Sequence, residues 1–437
     1  MPAAAPGQDR IADHPFTRGA ALAATGAKVG LNYLKHYARH AVRGDADPDE
    51  LHRANASEVY ATFSYLKGGP LKVAQMLSID QNLLPPAYAS LFAQAQYSAP
   101  PLSYPLVART FRRELGRNPL DIFDTFCPEA AHGASIGQVH LATKNGHRFA
   151  VKIQYPGVAQ SLRSDLALVK PLALQIMGVT ERDVADYIRE VETRLLEETD
   201  YTLELRRARD IAQACQHLPS LIFPRYYDEF SSAKILTMDW IQGQTLDAFA
   251  ASDPPQTLRD HIGQILWDFY DHQIHTLRLF HADPHPGNFL VSGQSLAVLD
   301  FGCTKHLDTA FYHANFRFLD PHLLDNEPAL LAALADLGVL LPDDPPDFRR
   351  AILDLVRPSV ELLARPFRLG SFDFSDPNFM RAIYDLGEQS RTHPVLRRTR
   401  GARGSPDSIY VNRAYFGLYS LLSRLRCRVR TRLPDWI

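Results

Sequence analysis

Two short segments near the middle of the chain restrict its possible folds more than any other feature. They are His281-Ala282-Asp283-Pro284-His285-Pro286-Gly287-Asn288 and, a strand later, Leu299-Asp300-Phe301-Gly302. Phosphoryl transfer needs an acid/base carboxylate beside the acceptor oxygen and two oxygen ligands that hold Mg²⁺ on the phosphates, because a hard cation prefers oxygen. Asp283, Asn288 and Asp300 supply those three groups. Pro284 and Pro286 keep the first segment extended, as suits a loop hung between two elements. The spacing therefore points to a chain that binds a nucleoside triphosphate. A second reading of His281-x-Asp283-x-His285 is a transition-metal cluster, since imidazole suits zinc and iron. That reading leaves Asn288 and Asp300 unexplained.

The composition is compatible with either chemistry. The chain has 437 residues, enough for two or three packed units, with 46% hydrophobic residues and a net charge of -2. Near-neutral charge gives no ground for a nucleic-acid partner. No run approaches the roughly 20 apolar residues of a membrane span. Cys127, Cys215, Cys303 and Cys427 form no Cys-x-x-Cys pair, so neither structural zinc nor a disulfide framework is indicated. Residues 1–18 lack the apolar core of a secretory signal. A reducing cytoplasm fits this usage.

Along the chain, the apolar pattern predicts helices at 20–42 and 57–78, prolines at 85–86 and 100–101, and a helix at 104–115 stopped by Gly116. The period then switches. Strands are expected at 136–143 and 148–154 around Asn145-Gly146, a hairpin signal because both residues tolerate positive φ. Helices are expected again at 183–218, and strands at 222–227 and 234–238. Met238 then leads into a hinge at 239–243. Asp253-Pro254 reads as the capped start of a helix bearing Leu258, Ile262, Ile265, Leu266, Phe269, Ile274 and Leu277 on one face. Beyond Cys303 only helices are expected, with a loop at 342–346 and an arginine-dense tail.

Several motifs carry a family resemblance. The interval from Asp283 to Asn288 equals that between the Asp and Asn of the kinase catalytic loop, and Ala150-Val151-Lys152 is similar to the kinase strand whose lysine holds the α- and β-phosphates. The alternative for Lys152 is a strand-end lysine that snorkels to solvent. A glycine-rich phosphate loop is missing; Ala134-Ser135-Ile136-Gly137-Gln138-Val139-His140 stands in its place. That run, with Val151-Lys152 and His281 to Asn288, resembles the UbiB-like (ADCK) family of atypical kinases. Ordinary kinases lack both the Ala-Ser-Ile-Gly-Gln run and the Pro-His-Pro-Gly.

The resemblance extends across about 57–305. Leu71-Lys72-Val73-Ala74-Gln75 is similar to the family's Lys-x-Gly-Gln motif, with Ala74 where glycine is usual. From composition alone Lys72 and Gln75 are surface residues of an amphipathic helix. The resemblance implies instead that this helix covers the active cleft. Glu198-Thr199-Asp200 is similar to the Glu-x-Asp motif that contacts it, and Glu204 stands where the partner of the strand lysine is expected. The alternative for these acids is a solvated face paired with Arg206 and Arg207.

The expected architecture is α+β, an atypical protein-kinase-like bilobal fold with a helical N-terminal extension. Its divisions are residues 1–118 for the extension, 119–242 for the N-lobe and 243–437 for the helical C-lobe. The resemblance implies ATP and Mg²⁺ as cofactors. Asp283 orients a hydroxyl or water, Asn288 and Asp300 bind the metal, and Lys152 pairs with Glu204. Ala134, Ser135, Ile136 and Gly137 cover the phosphates, Met238 adjoins the nucleotide, and Lys72, Gln75, Glu198 and Asp200 regulate. The implied role is ATP hydrolysis or phosphorylation of a lipid-like quinone precursor in support of ubiquinone biosynthesis. Contact with an anionic membrane would be peripheral, at the inner membrane, through residues 19–34 and the basic tail at 424–432, and alongside quinone-pathway enzymes. A small-molecule kinase of the aminoglycoside or choline type and a non-catalytic nucleotide-gated scaffold are the competing readings.

Overall fold

The computed structural model describes residues 20, 24–29, 31–32, 48–66, 102–134, 136–177, 181–393 and 403–437. The chain divides into two compact units, Met1–Leu205 with Arg225–Trp240 and Arg206–Pro224 with Ile241–Ile437. The chain crosses between these units three times, after residues 205, 224 and 240, the last close to the division expected after residue 242. Lys72, Gln75 and Ser135 lie outside the described residues.

In the first unit, helical residues 24–29 and 31–32 lie against α1 (Pro48–Leu66). Lys28 and Glu58 pair at 2.6 Å, Asn32 Nδ2 donates to Asn55 Oδ1 at 2.7 Å, and the Thr25 and Thr62 hydroxyls meet at 2.7 Å. Val29, expected on a membrane-facing side, is buried, whereas Leu31 is exposed. The next helix, α2 (Tyr104–Leu115), ends where the sequence places its stop. Gly116 adopts φ 70°, open to it because it lacks a Cβ, and its N–H closes the last turn on Arg112 O.

A five-stranded antiparallel sheet follows: β1 (Thr125–Phe126), β2 (His132–Ala134), β3 (Gly137–Lys144), β4 (His147–Gln154) and, after β5 (Leu221–Ile222) of the second unit, β6 (Ile235–Asp239). Asn145 and Gly146 have φ 52° and 75° and join Lys144 to its partner His147, so the hairpin turn is the one its sequence encodes. Flanked by β3 and β6, β4 is buried at every position from Phe149 to Gln154. Helix α3 (Val158–Met177), unforeseen in the sequence, contains Pro171, which reads as a breaker. It is followed by α4 (Glu181–Glu198) and α5 (Tyr201–Ala214). The expected strand at 222–227 is split because Pro224 has no N–H for a ladder; Leu221–Ile222 joins the second unit while Tyr226 bridges Met238 in the first.

The second unit is built on α6 (Gln256–Asp271), whose Ile262, Leu266, Phe269 and Tyr270 are buried. Asp253 does not cap it. Each of two consecutive prolines disfavours helix in the residue before it, so Pro255 becomes the N-cap, and Asp253, at φ 51°, pairs with Arg259 at 2.8 Å. The helix ends in a π-turn, His272–Leu277, before the strand Leu279–His281. A four-stranded sheet runs β5, β10 (Ser295–Val298), β9 (Phe289–Ser292), β7 (Gln244–Thr245). β8 (Leu279–His281) pairs with β11 (Thr304–His306), and β12 (Ser371–Asp373) with β13 (Arg428–Arg430). The last three strands correct the expectation of helices only beyond Cys303; at three residues each they show no readable alternation. The longer helices of the C-terminal part are α7 (Pro346–Arg368), α8 (Pro377–Thr392) and α9 (Pro406–Leu425).

The arginine-dense tail is part of this packing. Arg424 pairs with Asp247 and Arg428 with Asp373, both at 2.8 Å, and Arg432 lies 3.8 Å from Asp271. Residues 427, 429 and 431 of the strand region face β12, while 426, 428 and 430 face α6. There Gln256 donates to Arg426 O at 2.8 Å, Asp260 accepts from Arg428 N at 2.7 Å, and Gln264 accepts from Arg430 N at 2.7 Å. Four residues of helix rise about 6 Å and two residues of strand about 6.6 Å, so the helix side chains keep step with the strand. Gly263 lets the strand come close, since a Cβ there would fall 2.3 Å from Cys427 Sγ.

Burial under this tail pushes the Asp271 carboxyl up to about 6, with Asp268 and Asp435 adding repulsion and Arg432 opposing it. A folded pKa above the unfolded value contributes stability that is full below about 4 and lost as pH rises through about 6. Asp271→Asn should therefore stabilise the fold at pH 7.5 by about 1–2 kcal/mol after the lost Arg432 attraction, seen as a higher melting temperature, and change it little at pH 3. Thermal melts across that range check both the sign and the window.

Candidate active site

The first unit holds the lysine. Lys152 stands in register between Val139 and Leu236 on β4, and its side chain is 9% exposed. Its Nζ donates to both carboxylate oxygens of Glu204, at 2.9 and 3.0 Å, and lies 5.0 Å from the centroid of the Tyr201 ring. Glu204 is 3% exposed, so the solvated-face alternative, like the snorkelling one for Lys152, does not hold. Asp200 fixes the start of α5. Its carbonyl accepts from Glu204 N at 3.3 Å and its carboxylate from Thr202 N and Oγ1 at 2.9 and 2.6 Å. Asp200 is thus a helix cap, where the sequence had placed it on a helix face. Glu198 ends α4 and is buried.

The loop beside the lysine depends on a missing side chain. A Cβ on Gly137 would meet Ile153 O at 2.3 Å and Tyr201 Oη at 2.9 Å, so only glycine fits between the hairpin and the α5 tyrosine. Ala134 is half-buried, and Ile136 is a core side chain whose carbonyl accepts from Tyr155 N at 2.9 Å. Met238 is buried opposite Ala150. Gln138 and His140, unassigned in the sequence, form a buried relay. Gln138 Oε1 accepts from Leu102 N at 2.6 Å, its Nε2 meets His140 Nε2 at 2.8 Å, and His140 Nδ1 meets Cys127 O at 2.8 Å. A carbonyl only accepts, so His140 carries its proton on Nδ1, and burial holds its pKa below the usual histidine value.

The second unit brings Asp283, Asn288 and Asp300 into one loop cluster. Ala282 N donates to Cys303 O at 2.9 Å and Leu299 N to Asn288 O at 3.0 Å, which pins the loop to the strands on either side. Within it, Asn288 Nδ2 donates to Asp283 O at 3.0 Å, so its amide oxygen remains the acceptor face. Asp300 Oδ1 accepts from Gly302 N at 2.8 Å. His281 is fully buried against Phe289 and Phe301, with Tyr270 Oη 3.1 Å from its Nδ1, and its backbone N–H donates to Gln273 Oε1 at 3.0 Å. Burial lowers its pKa, so it is a neutral structural imidazole. Among the described residues no group of three His, Cys, Asp or Glu side chains could hold a metal ion, which removes the zinc reading. Two oxygen donors, Asn288 and Asp300, suit Mg²⁺, which keeps waters and takes the rest of its shell from phosphate.

The sequence reading missed Tyr201, Gln273 and Arg413. Arg413 Nη2 lies 2.5 Å from Asp283 Oδ1, from a position 130 residues away. No local motif marks any of the three.

Comparison with known proteins agrees with this geometry. The chain is 28% identical over 433 residues to the mitochondrial atypical kinase COQ8B of Rattus norvegicus, covering 96% of this chain and 80% of that protein. It is 27% identical over 389 residues to the mitochondrial atypical kinase coq-8 of Caenorhabditis elegans, covering 87% of this chain but half of the relative. The solved structure of Rv3197 with erythromycin, from Mycobacterium tuberculosis, superposes with a TM-score of 0.59 at 25% identity, covering 87% of this chain and 95% of the other. The fold is accordingly α+β and of the atypical-kinase type. The model of the ABC1 atypical kinase-like domain matches residues 94–328, over half of the chain, and the protein belongs to that family of UbiB-like (ADCK) atypical kinases.

Proposed function

We propose that the protein is a Mg²⁺- and ATP-dependent phosphotransferase or ATPase that supports ubiquinone (polyprenyl-quinone) biosynthesis, acting on or with a lipid-like small molecule. The observation that carries this reading is the arrangement of Asp283, Asn288 and Asp300 within one pinned loop cluster, together with the two-oxygen grip of Glu204 on Lys152. Asn288 and Asp300 would hold Mg²⁺, which supplies charge neutralisation at the phosphates. Lys152, oriented by Glu204, binds the α- and β-phosphates as a point charge, and Gly137 allows the hairpin backbone close to them. Asp283 orients the acceptor hydroxyl or water.

The acceptor and the regulation follow from the family resemblance. Lys72 and Gln75 would cover the site, contacting Glu198 and Asp200, and so exclude a peptide substrate. Membrane contact would be peripheral, since no described helix is long and apolar enough to cross a bilayer. The basic tail would contribute to it, since Arg424, Arg428 and Arg432, though beside carboxylates, are more than half exposed. A nucleotide-gated scaffold is the second reading, and it predicts binding without turnover.

Four variants test these readings. In the wild-type protein Mg-ATP at about 100 times Kd should stabilise by about 2.7 kcal/mol, and Asp300→Asn should lose this effect while keeping its fold. Unchanged thermal stabilisation in Asp300→Asn would remove the metal assignment. Lys152→Met should abolish turnover and cost about 3–5 kcal/mol of stability by stranding Glu204, with little recovered in Lys152→Arg. Gly137→Ala should cut turnover about 10²-fold by displacing the hairpin, read in steady-state assays with anionic lipid and a phenolic quinone-precursor mimic.

A further inference from the structure

Helix α9 meets the catalytic segments of the second unit at three points along one side. Arg413 and Asp283, 9% and 19% exposed in their side chains, form an ion pair at 2.5 Å. One turn further, Gly417 makes room for the catalytic loop. A Cβ there would fall 2.1 Å from Pro284 Cγ and 3.2 Å from Pro284 O. At the start of the helix Asp407 pairs with Lys305 at 2.7 Å, and Lys305 Nζ stands 5.0 Å from the Tyr410 ring. Positions 407, 410, 413 and 417 follow at intervals of three and four, so they share one helix face. Lys305 belongs to β11, which follows Asp300-Phe301-Gly302 and pairs with the strand ending at His281. One helix face therefore grips both segments that carry the site's oxygens.

A buried ion pair between distant segments is a weak device for stability, because desolvation of both charges offsets their attraction. Its geometric effect is strong. A charge-assisted bond to one oxygen fixes the plane of a carboxylate, and phosphoryl transfer gains chiefly from position. We propose that Arg413 is a positioning residue for phosphoryl transfer: through Asp283, and with Gly417 seated on Pro284, α9 sets the carboxylate that orients the acceptor. This rests on the role given to Asp283 above.

The test uses the full chain with Arg413→Ala, Arg413→Lys and Gly417→Ala, measuring kcat, KM for ATP, melting temperature and turnover with added guanidinium ion. Arg413→Ala should lower kcat about 10²-fold while KM for ATP stays near the wild-type value. Millimolar guanidinium should restore much of that loss, because the ion reoccupies the place of the missing fork. Arg413→Lys should fall between, keeping charge but not the planar fork. Gly417→Ala should also lower kcat, with no response to guanidinium, since its defect is a displaced loop. Wild-type kcat in Arg413→Ala or Arg413→Lys, or a loss seen only as a lower melting temperature, overturns the proposal and leaves the function of the site standing. Absence of turnover in the wild-type protein overturns both.

Discussion

A lysine ammonium and a glutamate carboxylate, each exposed by less than a tenth, can occupy a protein interior only as a pair. The Lys152–Glu204 bond therefore constrains the whole first unit. It draws α5 onto the middle strand of the sheet and brings Tyr201 beneath the hairpin, so that the residue opposite must be glycine. The surrounding bonds reinforce one position. Tyr201 N donates to Ala233 O at 3.1 Å and Gln154 Nε2 to Thr199 O at 2.9 Å, tying both ends of the α4–α5 junction to the sheet. The Gln138 and His140 relay extends the same network to the backbone of Leu102.

In the second unit the loop bearing Asp283 is shaped by prolines and held by backbone bonds, and its histidine is an aromatic core residue. The electrostatics follow from burial. His281 stays neutral between Tyr270, Phe289 and Phe301, which leaves the charged chemistry to carboxylates and to the arginine from α9. The π-turn at His272–Leu277 serves the same end, since it swings the chain from α6 into β8 and places Gln273 on the backbone of His281.

What could be read from the sequence was what acts locally. Gly116 and Asn145-Gly146 encode their own backbone angles, and the triad of Asp283, Asn288 and Asp300 announces itself by spacing. Proline misled the reading twice in opposite ways, hiding α3 behind Pro171 and letting a single strand be drawn through Pro224. The cap that Asp200 forms on α5 was not read from the sequence, because the motif drew attention to its family contact rather than to the helix start that follows it. Arg413 was beyond reach, being one of 47 basic residues and brought to Asp283 by tertiary packing alone.

The hydrogen-bonded ladder from Gln256, Asp260 and Gln264 has a further consequence. An unpaired strand edge is a template on which another chain can add. One edge of β13 is closed by β12, and the other is closed by amides and a carboxylate projecting from a helix, so β13 itself offers no free edge. A helix that mimics a neighbouring strand thus removes the template that the outer side of β13 would otherwise present. Loss of one of those three side chains would be felt first as stickiness, before any loss of fold.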